Sequence, residues 1–190
     1  MADAYDDLEL DARGMRALAH PVRVRLLGEL QRHGPSTATR LSPVVGATPS
    51  VTSWHLRHLA EHGMVPDAAV PGSGRERWWE VVSRGYRLSA DGPGALEAGR
   101  ALARVVEEVE GDVVGDWHRD TEPGLPPAWQ EVAGRSSTRV LVTREELLAL
   151  EARWEELLAP YVHRKTDPAS APAGARLVHV LRHVMPERDG

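Results

Sequence analysis

The chain has 190 residues, no cysteine and a net charge of −5 at neutral pH. The lack of cysteine excludes disulfides and thiolate metal sites. No apolar run approaches the roughly 20 residues that cross a bilayer, and no charged-then-apolar leader opens the chain. The sequence therefore predicts a cytoplasmic protein with no membrane contact and one good core or two small ones.

Charge is distributed unevenly along the chain. Residues 1–11 carry five acidic groups and no arginine or lysine, which predicts an acidic flexible tail. Residues 12–87 carry eleven arginines against five acidic groups, a net charge of +6, whereas residues 88–190 have a net charge of −6. A protein that neutralises nucleic-acid phosphates needs such a concentration of positive charge, so the middle segment is the candidate for DNA contact.

The first predicted helix covers residues 22–30. Its apolar residues recur at helical spacing and mark one buried stripe: Val22, Leu26, Leu27 and Leu30. A break at Gly34-Pro35 precedes a short, capped helical pattern over residues 36–41. Pro43 would remove a backbone hydrogen bond from this second helix, so we expect the helix to be kinked or to begin late.

The most informative segment is residues 48–63. Thr48 is a good N-cap, Pro49 suits the first helical position and Gly63 ends the helix. Helical spacing predicts an inward face formed by Thr52, Leu56 and Leu59, and an outward face formed by Ser50, Ser53, Trp54 and Arg57. Gly46-Ala47 separates this helix from the preceding one, and two short helices joined by a glycine-containing turn form a helix-turn-helix.

A two-stranded ribbon is predicted after this helix. Met64-Val65 and residues 75–82 are strand-like, and residues 71–74 are typical of a turn. The tip carries Arg75 and Arg77. The ribbon would be anchored on the helices by core packing, rather than by base stacking, of Trp78, Trp79, Val81 and Val82.

Taken in order, these segments resemble the ArsR-like family of winged-helix transcriptional regulators. The resemblance spans roughly residues 12–88. It is carried by residues 18–23, Gly34-Pro35, residues 50–59, Gly63-Met64-Val65 and residues 74–79. It implies a dimer that binds a two-fold operator, is released by or recruited with a signal, and acts as a repressor.

The second half predicts an association unit. Residues 95–114 form a helical pattern with a narrow, coiled-coil-like seam, for which we favour self-association over burial within one chain: Leu102, Val106, Val109 and Val113. A strand over residues 138–142, a helix opened by a capping box of Thr143 and Glu146, and a strand over residues 176–185 follow. This unit would brace a dimer or form a pocket for an unknown small-molecule effector.

The expected fold class is α+β, mainly α. The expected divisions are an acidic tail (1–11), a winged helix-turn-helix domain (12–88) and a dimerisation or effector domain (89–190), the last with a helical segment and a small strand–helix–strand unit. We predict base-edge or groove contacts for Ser50, Ser53, Trp54 and Arg57, with Arg57 able to make a bidentate contact with guanine. Thr37, Arg75 and Arg77 are predicted to contact phosphates.

Two alternatives differ from this reading. His58-Leu59-Ala60-Glu61-His62 matches the H-x-x-E-H pattern of inverted zinc peptidases, although Gly63 ends the helix at once and no third ligand is identifiable. The other alternative is a winged-helix protein-interaction module that does not bind DNA, which the +6 charge argues against. No nucleophile elbow or phosphate-binding loop occurs, so we expect no enzyme activity, no cofactor and no bound metal.

Overall fold

The computed structural model describes residues 7–69, 76–83, 85–89, 91–164 and 171–187, and this part of the chain is mainly helical. In chain order its strands and α-helices are β1 (Leu8–Leu10), α1 (Ala12–Leu18), α2 (Pro21–His33), β2 (Ser36–Thr37), α3 (Ala38–Val45), α4 (Pro49–Glu61), β3 (Trp78–Trp79), β4 (Tyr86–Leu88), α5 (Ala95–Glu110), α6 (Val113–Asp116), α7 (Pro127–Gln130) and α8 (Arg144–Arg164). Between α6 and α7 lie a π-helical turn, Trp117–Thr121, and a 3₁₀ turn, Glu122–Gly124.

The helical core is formed by α1 to α4 together with the first half of α5. Its buried apolar residues are Leu10, Met15, Ala17, Leu18, Leu26, Leu27, Leu30, Leu41, Val45, Leu56, Leu59, Met64, Val65, Trp79, Ala95, Ala98 and Leu102. The predicted stripe on α2 is confirmed at Leu26, Leu27 and Leu30, whereas Val22 is only partly buried against the core. This N-terminal core fixes the position of α4.

The prediction of a flexible tail over residues 1–11 is wrong for its described part. β1 pairs in parallel with β4, with Leu8 opposite Tyr86 and Leu10 opposite Leu88. Leu10 belongs to the buried core, while Glu9 faces solvent. Alternation of leucine with an acidic residue is the pattern of a strand with one buried face, so Leu8 and Leu10 outweigh the local acidic composition.

A second small sheet joins the chain after α4 to the start of α3. β2 pairs antiparallel with β3, and Asp67 forms an isolated antiparallel bridge with Trp79. Residues 64–68 and 78–82 therefore run alongside each other in opposite directions, joined by backbone hydrogen bonds such as that from the Val82 N–H to the Met64 carbonyl (3.0 Å). The turn at the tip of this ribbon lies outside the described residues.

Pro43 neither delays nor ends α3. The helix begins at Ala38 and continues through Pro43 to Val45. Proline has no N–H to donate to the carbonyl of Thr39, four residues earlier. The Ser42 hydroxyl donates to that carbonyl instead, at 3.0 Å. The lost backbone hydrogen bond is replaced locally, so the helix keeps its length.

The predicted dimer seam on α5 is corrected at its first position. Leu102 is 1% exposed in the core, because α5 packs on α1 and α2, and Val106 packs partly against the same core. Only the later seam residues, Val109 and Val113, lie away from it. The helix ends at Glu110, and Gly111 (φ 60°) separates it from α6.

The C-terminal half is helical but has no strands in the described chain. The capping box is confirmed: the Glu146 N–H donates to the Thr143 hydroxyl (3.1 Å), and the Thr143 N–H donates to the Glu146 carboxylate (2.7 Å). The segments predicted as strands, residues 138–142 and 176–185, form no ladder, and their residues are exposed. Two short strands without a third or a covering layer are only marginally stable in water, so the apolar alternation alone did not determine a sheet.

Among the described residues, none of the helices is long and apolar enough to span a membrane.

The burial of Leu102 gives a stability prediction. We expect Leu102→Ala to lower the free energy of unfolding by about 2–5 kcal/mol, because it removes a large apolar side chain from a packed core. Leu96→Ala, on the exposed side of the same helix, should change it by about 0.5 kcal/mol or less. Urea unfolding followed by circular dichroism measures both, and equal small effects would contradict the packing of α5 on the core.

Candidate nucleic-acid interface

The helix α4 has one buried face and one exposed face. Thr52, Leu56 and Leu59 are each 0% exposed, as the helical spacing predicts. His55 is buried beside them, which the sequence did not predict. The opposite face begins at Ser50 and is open to solvent.

The entry to α4 is fixed by its predicted caps. The Thr48 hydroxyl accepts from the Val51 N–H at 3.4 Å, and Pro49 occupies the first turn. Before it, Gly46 ends α3 in the left-handed conformation (φ 66°, ψ 34°), which glycine adopts without strain. α3 and α4 pack against each other across this turn. Since the first N–H groups of a helix lack intrahelical acceptors and carry positive partial charge, the exposed start of α4 is suited to an anionic partner.

The four predicted base-contacting residues lie together on the open side of α4. Ser50, Trp54 and Arg57 are exposed, and Ser53 is half-buried. Trp54 is 54% exposed. Arg57 has no hydrogen-bond or ion-pair partner among the described residues, so its guanidinium is available to an external acceptor.

Aromatic neighbours surround Trp54. The His58 ring is stacked against it, with ring centroids 5.8 Å apart and an interplanar angle of 18°. The His55 ring meets it edge-on at 4.8 Å. His55 in turn contacts the His20 ring at 4.6 Å, at the start of α2. The exposed indole is thus connected through ring contacts to the core.

The environment of His55 opposes its protonation. Burial, with smaller contributions from the nearby His20, Arg23 and His58, lowers the pKa of His55 to about 4. Burial also lowers the pKa of His20, with a second contribution from Arg23. The ring of His55 therefore stays neutral near neutral pH.

The three residues predicted to contact phosphates differ in their availability. The Thr37 hydroxyl is buried and accepts from the Arg40 N–H at 3.3 Å, so it caps α3 and is already engaged within the fold. Arg77 is exposed but forms a two-point ion pair with Asp67, whose second contact is 3.0 Å long, and its guanidinium lies 4.1 Å from the Trp79 ring centroid. Arg75 lies outside the described residues.

Sequence reasoning missed Arg40 as a candidate. It lies in the first turn of α3, is exposed, and places its guanidinium 4.6 Å from the Trp78 ring centroid. Stacking on the indole holds the cation at the surface between α3 and the ribbon. The sequence already places Arg40 in the first turn of the first helix of the motif, and this position could have identified it as a candidate for phosphate contact.

The H-x-x-E-H residues lie on one side of the end of α4. The His58 and His62 rings are 5.0 Å apart, and the His58 Nδ1 lies 3.9 Å from a carboxylate oxygen of Glu61. Across the described ranges, no group of three His, Cys, Asp or Glu side chains is arranged to hold a metal ion.

Residues 18–65 match a family model described as a helix-turn-helix domain. This range runs from the end of α1 to the start of the ribbon and includes both helices of the motif. The chain therefore carries a helix-turn-helix domain, which is typical of DNA-binding regulators rather than enzymes. No curated protein matches the chain.

The depressed pKa of His55 predicts a loss of stability in acid. The unfolded chain binds protons at this residue below a pKa of about 6.5, whereas the folded protein does so only near 4. The folded state therefore binds fewer protons, and its free energy of unfolding falls as the pH is lowered from about 6.5 towards 4, by at most roughly 3 kcal/mol from this residue. Urea unfolding at several pH values measures the slope.

His55→Gln is the matched variant for this measurement, since glutamine does not titrate. It should flatten the slope between pH 6.5 and 4, although His20 and His62, whose pKa values are also lowered, keep part of it. A slope unchanged in His55→Gln would show that His55 does not cause the acid sensitivity.

Proposed function

We propose that this protein is a sequence-specific DNA-binding transcriptional regulator of the ArsR-like type, and that it acts in the cytoplasm as a homodimeric repressor. The observation that carries the proposal is the open face of α4. Within a helix-turn-helix domain, this face presents hydrogen-bonding side chains and the unpaired guanidinium of Arg57. Such a face suits the major groove, where each base pair has its own pattern of donors and acceptors.

In the proposed complex, α4 lies in the major groove. Some residues contact base edges and others contact phosphates. Ser50, Ser53, Trp54 and Arg57 contact base edges, with Arg57 directed to the two acceptors of guanine. Arg40, together with the backbone N–H groups at the start of α3, positions the motif on the phosphates. The side chain of Thr37 takes no part, because it caps α3.

The ribbon after α4 is proposed to act as the wing. Its antiparallel pairing over residues 64–68 and 78–82 supports this assignment, as does the buried Trp79 that anchors it to the core. Arg75 and Arg77 would contact the phosphate backbone from the wing. Arg77 would have to exchange its ion pair with Asp67 for a phosphate, an exchange that is favourable only where DNA supplies a stronger negative potential.

The proposed dimer uses the C-terminal half. In the described chain beyond Leu102 no residue is buried, although this half contains a long helix and many apolar residues. Large apolar side chains are exposed on and around α8: Leu148, Leu150, Trp154, Leu157, Tyr161, Leu177, Val178, Val180, Leu181, Val184 and Met185. Apolar surface of this extent marks an interaction site, and a second copy of the chain would cover it and present a second recognition helix to a two-fold operator.

The regulatory signal is proposed to act on this same half of the protein. A small-molecule effector bound between residues 89 and 190 would alter the distance between the two recognition helices of the dimer. Because operator half-sites are spaced by whole DNA turns, such a change would weaken or strengthen binding.

The role of Arg57 is tested with a binding titration. Arg57→Ala should weaken binding to a specific duplex by roughly 1–3 kcal/mol and relax the sequence preference, because a base contact is lost. The duplex is DNA from upstream of the protein's own gene, and a random-sequence duplex serves as the reference. Equal losses on both duplexes would show that Arg57 contacts the backbone only.

The wing arginines provide the contrast. Arg75→Ala or Arg77→Ala should weaken binding to all duplexes alike and reduce the dependence of log K on log salt by about one unit, since one phosphate contact disappears. Titrations at several salt concentrations measure this slope. An unchanged slope would mean that the substituted arginine does not neutralise a phosphate.

The dimer is tested at α8. Leu157 is exposed within the apolar surface proposed for association, and Leu157→Glu places a charge there. Sedimentation should show a dimer for the unmodified protein and a monomer for the variant. Arg153→Glu, at an exposed residue of the same helix outside that apolar set, serves as the charge control. A Leu157→Glu protein that remains dimeric would place the interface elsewhere.

A further inference from the structure

Two apolar side chains interrupt the polar face of α4. Val51 is 45% exposed and Trp54 is 54% exposed. They are three residues apart, so they are neighbours on the helix surface. Ser50 and Arg57 flank them. The proposed recognition surface therefore combines hydrogen-bonding groups with a small apolar patch, defined here as Val51 and Trp54.

The indole of Trp54 is held in place although it is exposed. Its contacts with the rings of His55 and His58 restrict it on two sides. His55 is itself buried and touches His20, so this support belongs to the core. Val51 lies in the first turn, where its backbone N–H is bonded to the Thr48 hydroxyl. An ordered apolar patch loses little conformational freedom on binding, which is the usual cost of using a large side chain in recognition.

The apolar group available in the major groove is the C5 methyl of thymine. The other groups along the base edges there are hydrogen-bond donors and acceptors. Apolar side chains on a recognition helix therefore find their complement at T·A pairs, and contact with the thymine methyl is an established mode of direct readout. Arg57, one turn beyond Trp54, remains free for guanine.

We propose that Val51 and Trp54 are specificity-determining residues that select thymine by burying its methyl group. This inference rests on the proposed DNA-binding function and specifies part of the operator. Each half-site contains thymine at the positions covered by the apolar patch, beside the guanine read by Arg57. Ser50 and Ser53 position α4 along the groove and do not select the thymine or the guanine.

The experiment removes the methyl group alone. A duplex is selected from a randomised pool with the full-length protein and is then remade with deoxyuridine in place of thymine, one position at a time. Uracil differs from thymine only by the C5 methyl. At each contacted position binding should weaken about fourfold, the effect of withdrawing one methyl from an apolar contact. In Val51→Ala and Trp54→Ala, replacing thymine by uracil should no longer change the affinity at the position that the missing side chain covers.

Two controls separate this effect from general weakening. Leu96→Ala removes an equally apolar, exposed side chain from α5 and should keep the full difference between thymine and uracil. Arg57→Ala should bind both duplexes more weakly but should keep the full difference in affinity between thymine and uracil. Circular dichroism melting curves establish that the α4 variants are folded, which is expected because both side chains project into solvent.

The outcomes distinguish the inference from the proposed function. If a duplex is selected but uracil has no effect, or has the same effect in Trp54→Ala and Val51→Ala as in the unmodified protein, the methyl contact is overturned while DNA binding stands. If no duplex is enriched even at low salt, the proposed function fails and the methyl contact falls with it.

Discussion

The packing of α4 on the core through Thr52, Leu56 and Leu59 is the constraint on which the proposed recognition surface depends. These side chains are fully enclosed, and removing a buried leucine from such a site costs about 2–5 kcal/mol. A rotation of the helix by one residue, about 100°, would expose a leucine and turn a polar side chain inward. The rotation of α4 about its own axis is therefore fixed. The residues buried on its inner face determine which residues face solvent on its outer face.

The interface between α4 and α2 buries polar and charged groups, which disfavours folding. Arg23 is buried at the start of α2, and the atoms Arg23 Nε, Thr52 Oγ1 and His55 Nδ1 have no hydrogen-bond partner among the described residues. Burial lowers the pKa of Arg23. Because a guanidinium stays protonated in proteins, a positive charge remains behind α4. Keeping His55 neutral avoids a second buried charge beside it. The positive charge that remains adds to the positive potential on this side of the molecule, which suits the proposed contact with DNA phosphates.

Local signals made much of the helical fold and of the site on α4 predictable. The caps at Thr48 and Thr143, the glycine turn at Gly46 and the two faces of α4 each depend on residues within four positions of one another, and sequence spacing encodes them directly. What the sequence did not reveal depends on distant partners. β1 is ordered by β4, almost eighty residues later, and Arg77 is paired with an acidic residue on the opposite side of its ribbon. The same reason explains the error on α5, because an apolar seam has the same spacing whether it faces its own core or a second copy.

The position of α5 gives the two halves of the chain a mechanical connection. Its first half belongs to the core, through Ala95, Ala98 and Leu102, while its last turns lead into the half that has no buried residue in the described chain. An ion pair between Arg87 on β4 and Glu155 on α8, 2.9 Å long, is a second link. Because packed cores shift between discrete arrangements rather than deforming continuously, a rearrangement of the C-terminal half that moved α5 would move α1 and α2 with it. α4 packs on α2, so the proposed effector or dimer partner would act on the helix proposed to contact DNA through contacts already present in the fold.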